Sequence, residues 1–171
     1  MLAKTLVASF LAWALTTQGE VWKVRREQAP LRGITAVTIK VQDLSADAAR
    51  CGVTSPAIRS ATAQPFVDAG LRVLDTAGPW VSVQVSVLAP SSGLCIANIN
   101  VDLLEEMAGA LTHKQTQAET KVIDAPLTAQ LLSDGTFAAG LTADFAQRIQ
   151  DSLRSLAQTF ATKIKAANPP K

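Results

Sequence analysis

Histidine occurs once in this chain, at position 113, and cysteine twice, at positions 51 and 95. Zinc sites need paired Cys or His ligands at short spacing, and His113 is far in sequence from both cysteines. A general base needs a partner too, and the lone His113, in a predicted polar turn next to Lys114, reads as an ordinary surface residue. A Gly-rich phosphate loop and a Gly-x-Ser-x-Gly elbow are both missing from the sequence. Charge is scarce too, at 18% of residues with a formal net charge of +2, so there is no electrostatic case for nucleic acid or an anionic membrane. After Leu15 no apolar run approaches the ~20 residues of a membrane-spanning helix. The expectation is a protein without catalytic residues, metal or cofactor, not an enzyme, and with no stable membrane insertion.

What the chain does have begins at its first residue. Met1 to Lys4 is short and positive, and Thr5 to Leu15 is apolar. Thr16-Thr17-Gln18-Gly19 then gives a small and polar exit before Glu20. That order describes a secretory signal peptide over 1–19, which places the mature protein in the periplasm or outside the cell. Losing Lys4 with it lowers the net charge to about +1. Residues 20–33 form a polar lead-in, with Lys23, Arg25, Arg26 and Arg32 set around Trp22. The remainder, 34–171, fits one domain of modal size. In an oxidising compartment an even cysteine count favours a Cys51–Cys95 disulfide.

Beyond Ile34 the pattern has period two, with Val37, Ile39 and Val41 alternating with polar residues as in a half-buried strand. A helix follows, capped at Thr54 or Ser55, with Pro56 in its first turn, Ile58, Ala61 and Phe66 on its apolar side and Gly70 as its stop. Pro65 is the awkward residue, because inside a helix it removes a hydrogen bond. Leu71 to Leu74 is a short strand, and Asp75 to Pro79 is a turn. The clearest strands come next. Val81, Val83, Val85 and Val87 form one inner face, and Cys95, Ala97, Ile99, Val101 and Leu103 form another. A five-residue loop pairing Leu88 with Leu94 sets Gln84 opposite Asn98 and Ser82 opposite Asn100.

One reading extends the strand over Glu105 to Leu111; adjacent Glu105 and Glu106 would then face opposite sides of it, which requires either a bulge or a strand end near Leu104, and the end is favoured. His113 to Glu119 then reads as a polar turn. Thr120 to Leu131 returns antiparallel, and Pro126 puts that return at a sheet edge or a bulge. Ser133-Asp134-Gly135 and Gly140 mark a loop. Leu141, Phe145, Ile149, Leu153, Leu156, Phe160 and Ile164 recur at helical spacing, with Thr142 as cap and Asn168-Pro169-Pro170 as terminator. The sum is a two-layer α+β domain: a mainly antiparallel sheet of four to five strands with two helices on one face.

That arrangement leaves the other sheet face open. Trp80, Gln84, Asn98, Asn100 and Asp102 share it with Ser82, a set suited to a sugar or a polar peptide. Leu88, Leu94 and Ile96 add apolar area, and an open face or edge strand suits an envelope protein partner. The protein-binding reading leads and the small-ligand reading is the alternative.

A resemblance rests on Cys51-Gly52-Val53-Thr54, on Ala69-Gly70-Leu71-Arg72-Val73-Leu74, on the strand Val81 to Leu88, and on Phe160 with Ala166-Ala167-Asn168-Pro169. In that order, over about Ile34 to Pro169, the chain resembles a group of small uncharacterised secreted bacterial proteins. These share a strand, a Gly-Leu-Thr-like helix start, an Ala-Gly-Ile-x-Val helix exit, a long hairpin and a C-terminal helix ending near Asn-Pro. The resemblance implies the fold and the export, and carries over no catalytic residue. This chain departs from the group in having no tyrosine and in placing Thr128-Ala129 where a Thr-Trp is expected.

Overall fold

The computed structural model describes residues 29–76, 78–90, 93–116 and 119–169. The expected signal peptide over 1–19 and the expected lead-in as far as Gln28, with Trp22, lie outside the described residues. Five strands, β1 (Ala36–Val41), β2 (Arg72–Leu74), β3 (Trp80–Leu88), β4 (Leu94–Thr116) and β5 (Glu119–Leu141), form one sheet in the order β2-β1-β3-β4-β5. Among the described residues three α-helices accompany them, α1 (Ala46–Arg50), α2 (Ser55–Asp68) and α3 (Thr142–Ala167), with a short 3-10 turn at Ala29–Leu31. The α+β class follows directly. The sheet is mixed, since β1 runs parallel to both β2 and β3, while β4 runs antiparallel to its neighbours β3 and β5.

Alternation decides which face the helices cover. Val37 and Ile39 of β1, all four valines of β3 and Cys95, Ala97, Ile99, Val101 and Leu103 of β4 are buried. Against them pack Ile58, Ala61 and Phe66 of α2 and Phe145, Ile149, Leu153, Phe160 and Ile164 of α3, in one core cluster. The stripe expected of α3 holds except at its first member. Leu141 precedes the helix and is 67% exposed, because it ends β5 and shares the helix-free face.

Local chemistry sets the ends of α2. Thr54 is its N-cap with Pro56 in the first turn, and Pro65 is accommodated inside the helix, fully packed. At the other end Gly70 takes φ 85°, Gly70 N–H donates to Val67 O and Leu71 N–H to Phe66 O. This paired C-terminal closure needs a residue that tolerates positive φ. At the end of α3, Asn168 donates to both Ile164 O and Leu31 O, and accepts from Gly33 N–H. One amide thus fastens the entry segment to the last helix.

The disulfide joins Cys51, just after α1, to Cys95 in β4, with Cα atoms 6.2 Å apart and both residues buried. It holds α1 over the end of β3. There Asp47 accepts a hydrogen bond from Ala89 N–H at 2.9 Å, and Ser45 Oγ donates to Val87 O. Arg50 pairs with the same aspartate, and the two donors hold its carboxyl below the ordinary value of 3.8. A depressed folded-state pKa stabilises above the unfolded value and stops doing so as pH falls through the folded one. Asp47→Asn should therefore be less stable than the parent at neutral pH. The gap should close below about pH 3.8, as urea melts across the acid range would record.

Three sequence expectations are corrected here. First, the β3–β4 register differs by two residues: Leu88 pairs with Ile96, Gln84 with Asn100 and Ser82 with Asp102. Leu94 and Cys95 instead pair across to Leu141 and Gly140, and Thr142 holds Gly93 O through both its N–H and its hydroxyl. The first residues of β4 therefore serve β5, and a shift of two keeps every side chain on its expected face.

Second, β4 does not end near Leu104. A register irregularity between Leu103 and Leu104 skips Leu131, after which pairing continues to Thr116 opposite Glu119. The bulge lets the strand pass the two glutamates, and the expected polar turn at 113–119 becomes mostly strand. Third, Ser133-Asp134-Gly135 and Gly140 lie within β5 rather than in a loop. At Gly135 a Cβ would stand 2.6 Å from Asn100 Oδ1 and 2.8 Å from Ile99 O, so the turn-like glycine serves close approach of neighbouring strands. The placement of Pro126 in an edge strand agrees with the sequence.

Candidate functional site

The helix-free face is laid out in rows by the register. Across β3, β4 and β5 these are Trp80–Leu104–Gln130, Ser82–Asp102–Ser133, Gln84–Asn100–Gly135, Ser86–Asn98–Phe137 and Leu88–Ile96–Ala139, with Leu94 beside Leu141 beyond them. Three zones result. An aromatic zone holds Trp80, a polar zone holds Gln84, Asn98, Asn100 and Asp102, and an apolar zone holds Leu88, Leu94, Ile96, Phe137 and Leu141.

In the aromatic zone, Lys40 Nζ lies 4.1 Å from the Trp80 ring centroid, a cation–π contact between neighbouring strands. β2 leaves the sheet at Leu74, level with Thr38 on one side of β1, and β3 enters at Trp80, level with Thr38 on the other. The link between them passes over Thr38, which is 3% exposed although it shares the helix-free face with exposed Lys40. Arg59 of α2 closes the edge that β2 vacates, donating to Ile39 O at 3.0 Å and pairing with Asp75 at 3.1 Å. A cavity of about 350 Å³ forms here between Thr38, Lys40, Trp80, the link residues Asp75, Thr76 and Gly78, and Glu105 and Glu106 of β4.

The polar zone is flat and partly tied up internally. Gln42 Nε2 donates to Ser82 Oγ, and Gln130 Nε2 donates to Asp102 Oδ1 at 2.7 Å. Asn100 lies over Gly135. Of the residues singled out from the sequence, Trp80 alone lines the cavity. Six residue steps along β3, from Trp80 to Ser86 in the row of Asn98, separate Trp80 from Asn98 by about 20 Å. The structure therefore does not gather Trp80, Gln84, Asn98, Asn100 and Asp102 at one point. It spreads them along a sheet face.

The apolar zone is larger than the sequence suggested. Phe137 is 78% exposed, Leu88 66% and Leu141 67%, with Leu94 and Ile96 also open to solvent. Phe137 and Leu141 were missed because one fell in an assumed loop and the other in the helix stripe. Their spacing of two with Ala139, interrupted by Ala138 and Gly140, was the available signal. An uninterrupted apolar cluster of several large side chains on a helix-free face is unusual for a surface without a partner.

Among the described residues no group of three or more His, Cys, Asp or Glu side chains is placed to hold a metal ion. No described helix is long and apolar enough to cross a membrane. No protein-family model and no curated protein matches the chain. Among solved structures, it is similar to a minor lipoprotein from Acinetobacter baumannii, at 12% identity and a TM-score of 0.32 over 78% of this chain and 94% of that one. A likeness of that degree carries nothing further about this chain.

Proposed function

We propose that this is an exported, non-enzymatic bacterial envelope domain that works by binding another protein through its helix-free sheet face. One observation carries the reading: Leu88, Ile96 and Phe137 lie exposed on adjacent strands of a face that no described helix covers. Support for export comes from the leader at 1–19 and from a disulfide, which persists in oxidising compartments. The envelope setting also follows the resemblance to small secreted bacterial proteins.

The test is affinity purification from the periplasm after crosslinking in intact cells, with the parent compared against an Ile96→Asp/Phe137→Asp variant. Both positions are on the surface, so the variant should fold and melt like the parent. A partner recovered with the parent and lost with the variant is the expected result. Recovery of the same partner by both would remove the reading.

A second reading, a small-ligand site for a sugar or peptide, is favoured by the cavity beside Trp80. It requires a ligand-induced thermal shift that Trp80→Ala abolishes.

A further inference from the structure

β5 is the edge of the sheet, and its outer edge has no partner strand among the described residues. Edges of this kind are normally blunted by lysines, prolines or bulges. The last nine residues, Ser133 to Leu141, contain no lysine and no proline, and both register irregularities of the β4–β5 pair lie outside them. Their single charge is Asp134, which register sets on the helix side of the sheet opposite buried Val101.

A second charge waits at the other end of the same stretch. Arg148, exposed on α3, lies against Gly140, where an added Cβ would stand 3.2 Å from its Cδ and 3.3 Å from its Nε. No ion pair to Arg148 is formed among the described residues, and Asp134 holds only the N–H of its neighbour Gly135, at 2.8 Å. Within one chain these two charges cannot meet across the strand edge, because Asp134 and Gly140 are six residues, or about 20 Å, apart along β5.

We infer that the partner strand of this edge is β5 of a second copy, paired antiparallel about a two-fold axis at Phe137, with Asp134 of each copy meeting Arg148 of the other. The register follows from the residues. With Phe137 opposite Phe137 of the second copy, Asp134 falls opposite Gly140, where Arg148 lies, and the two-fold repeats the pair. Ser133 falls opposite Leu141, Gly135 opposite Ala139 and Thr136 opposite Ala138, so no like charges face each other. The two phenylalanines, each 78% exposed alone, become an aromatic cross-strand pair on the helix-free face. The inference rests on the reading of this face and edge as a binding surface, and names its occupant as a second copy.

Sedimentation of the full exported chain at micromolar concentrations tests it, using Asp134→Arg, Arg148→Asp and the double swap. The parent should be a dimer. Each single reversal should weaken it by at least about tenfold, and the double swap should recover most of that loss. Phe137→Asp should give a folded monomer. A monomeric parent at tens of micromolar overturns the inference. So does a dimer indifferent to all of these changes, because it would be made elsewhere. If a monomeric parent still captures an envelope partner through Ile96 and Phe137, the dimer falls while the binding function stands.

Discussion

Replacing both bridge cysteines, Cys51→Ala with Cys95→Ala, should cost about 4 kcal/mol, in line with closing a 44-residue loop in the chain-entropy account. For a domain of this size that corresponds to a fall in Tm of roughly 10 °C. The effect is large because the bridge ties three things together. Cys51 ends α1, whose Asp47 and Ser45 hold the end of β3, while Cys95 sits where β4 leaves β3 and pairs with β5. Without it, α1 and the start of β4 lose their shared anchor. Thermal melts with and without a reductant, alongside the double variant, measure it. A reduced protein as stable as the oxidised one would mean that packing of two buried residues alone holds this corner.

Phe160→Ala should be comparably damaging, at about 3–5 kcal/mol, as for a large aromatic lost from a close-packed core. Phe160 has no exposure and lies on α3 in the same buried cluster as Phe66, Phe145 and Ile164. α3 holds the helix layer on β4 and β5 and packs against α2, so a cavity at its centre loosens both contacts. Denaturant melts should show a lower midpoint with an unchanged slope, the mark of lost stability rather than a changed unfolded state. An exposed control on the same helix, Gln158→Ala, should change stability by less than about 0.5 kcal/mol.

The parts of this fold that were legible in the sequence are those governed by burial. Four valines at period two in β3, five inward residues in β4 and the stripe of α3 each announced a face, because one side of each element meets the core. The cysteine pair was legible from the even count and the oxidising compartment that the sequence led one to expect. Illegible were features decided between elements. Nothing local to Leu88 or Leu94 reveals that β4 begins by pairing with β5, since Thr142 and the bridge fix that from a distance. Gly135 looks like a turn residue, yet it serves the approach of Asn100 from the next strand. Glu105 and Glu106 looked like a strand end because a bulge at Leu131, on the other strand, was invisible. For the candidate site, the polar residues were placed on the right face. Their separation from Trp80 depended on register, and so did the exposure of Phe137.

The binding role of the helix-free face is best tested by placing a photo-activated crosslinking residue at Ile96 in living cells, with the same residue at Gln158 on α3 as reference. Both positions are solvent-exposed in the isolated domain, so they differ only in which face they report. A discrete adduct is expected from position 96, containing either a second copy of this chain or a different protein, and none from position 158. Equal or absent crosslinking at the two positions would contradict that role.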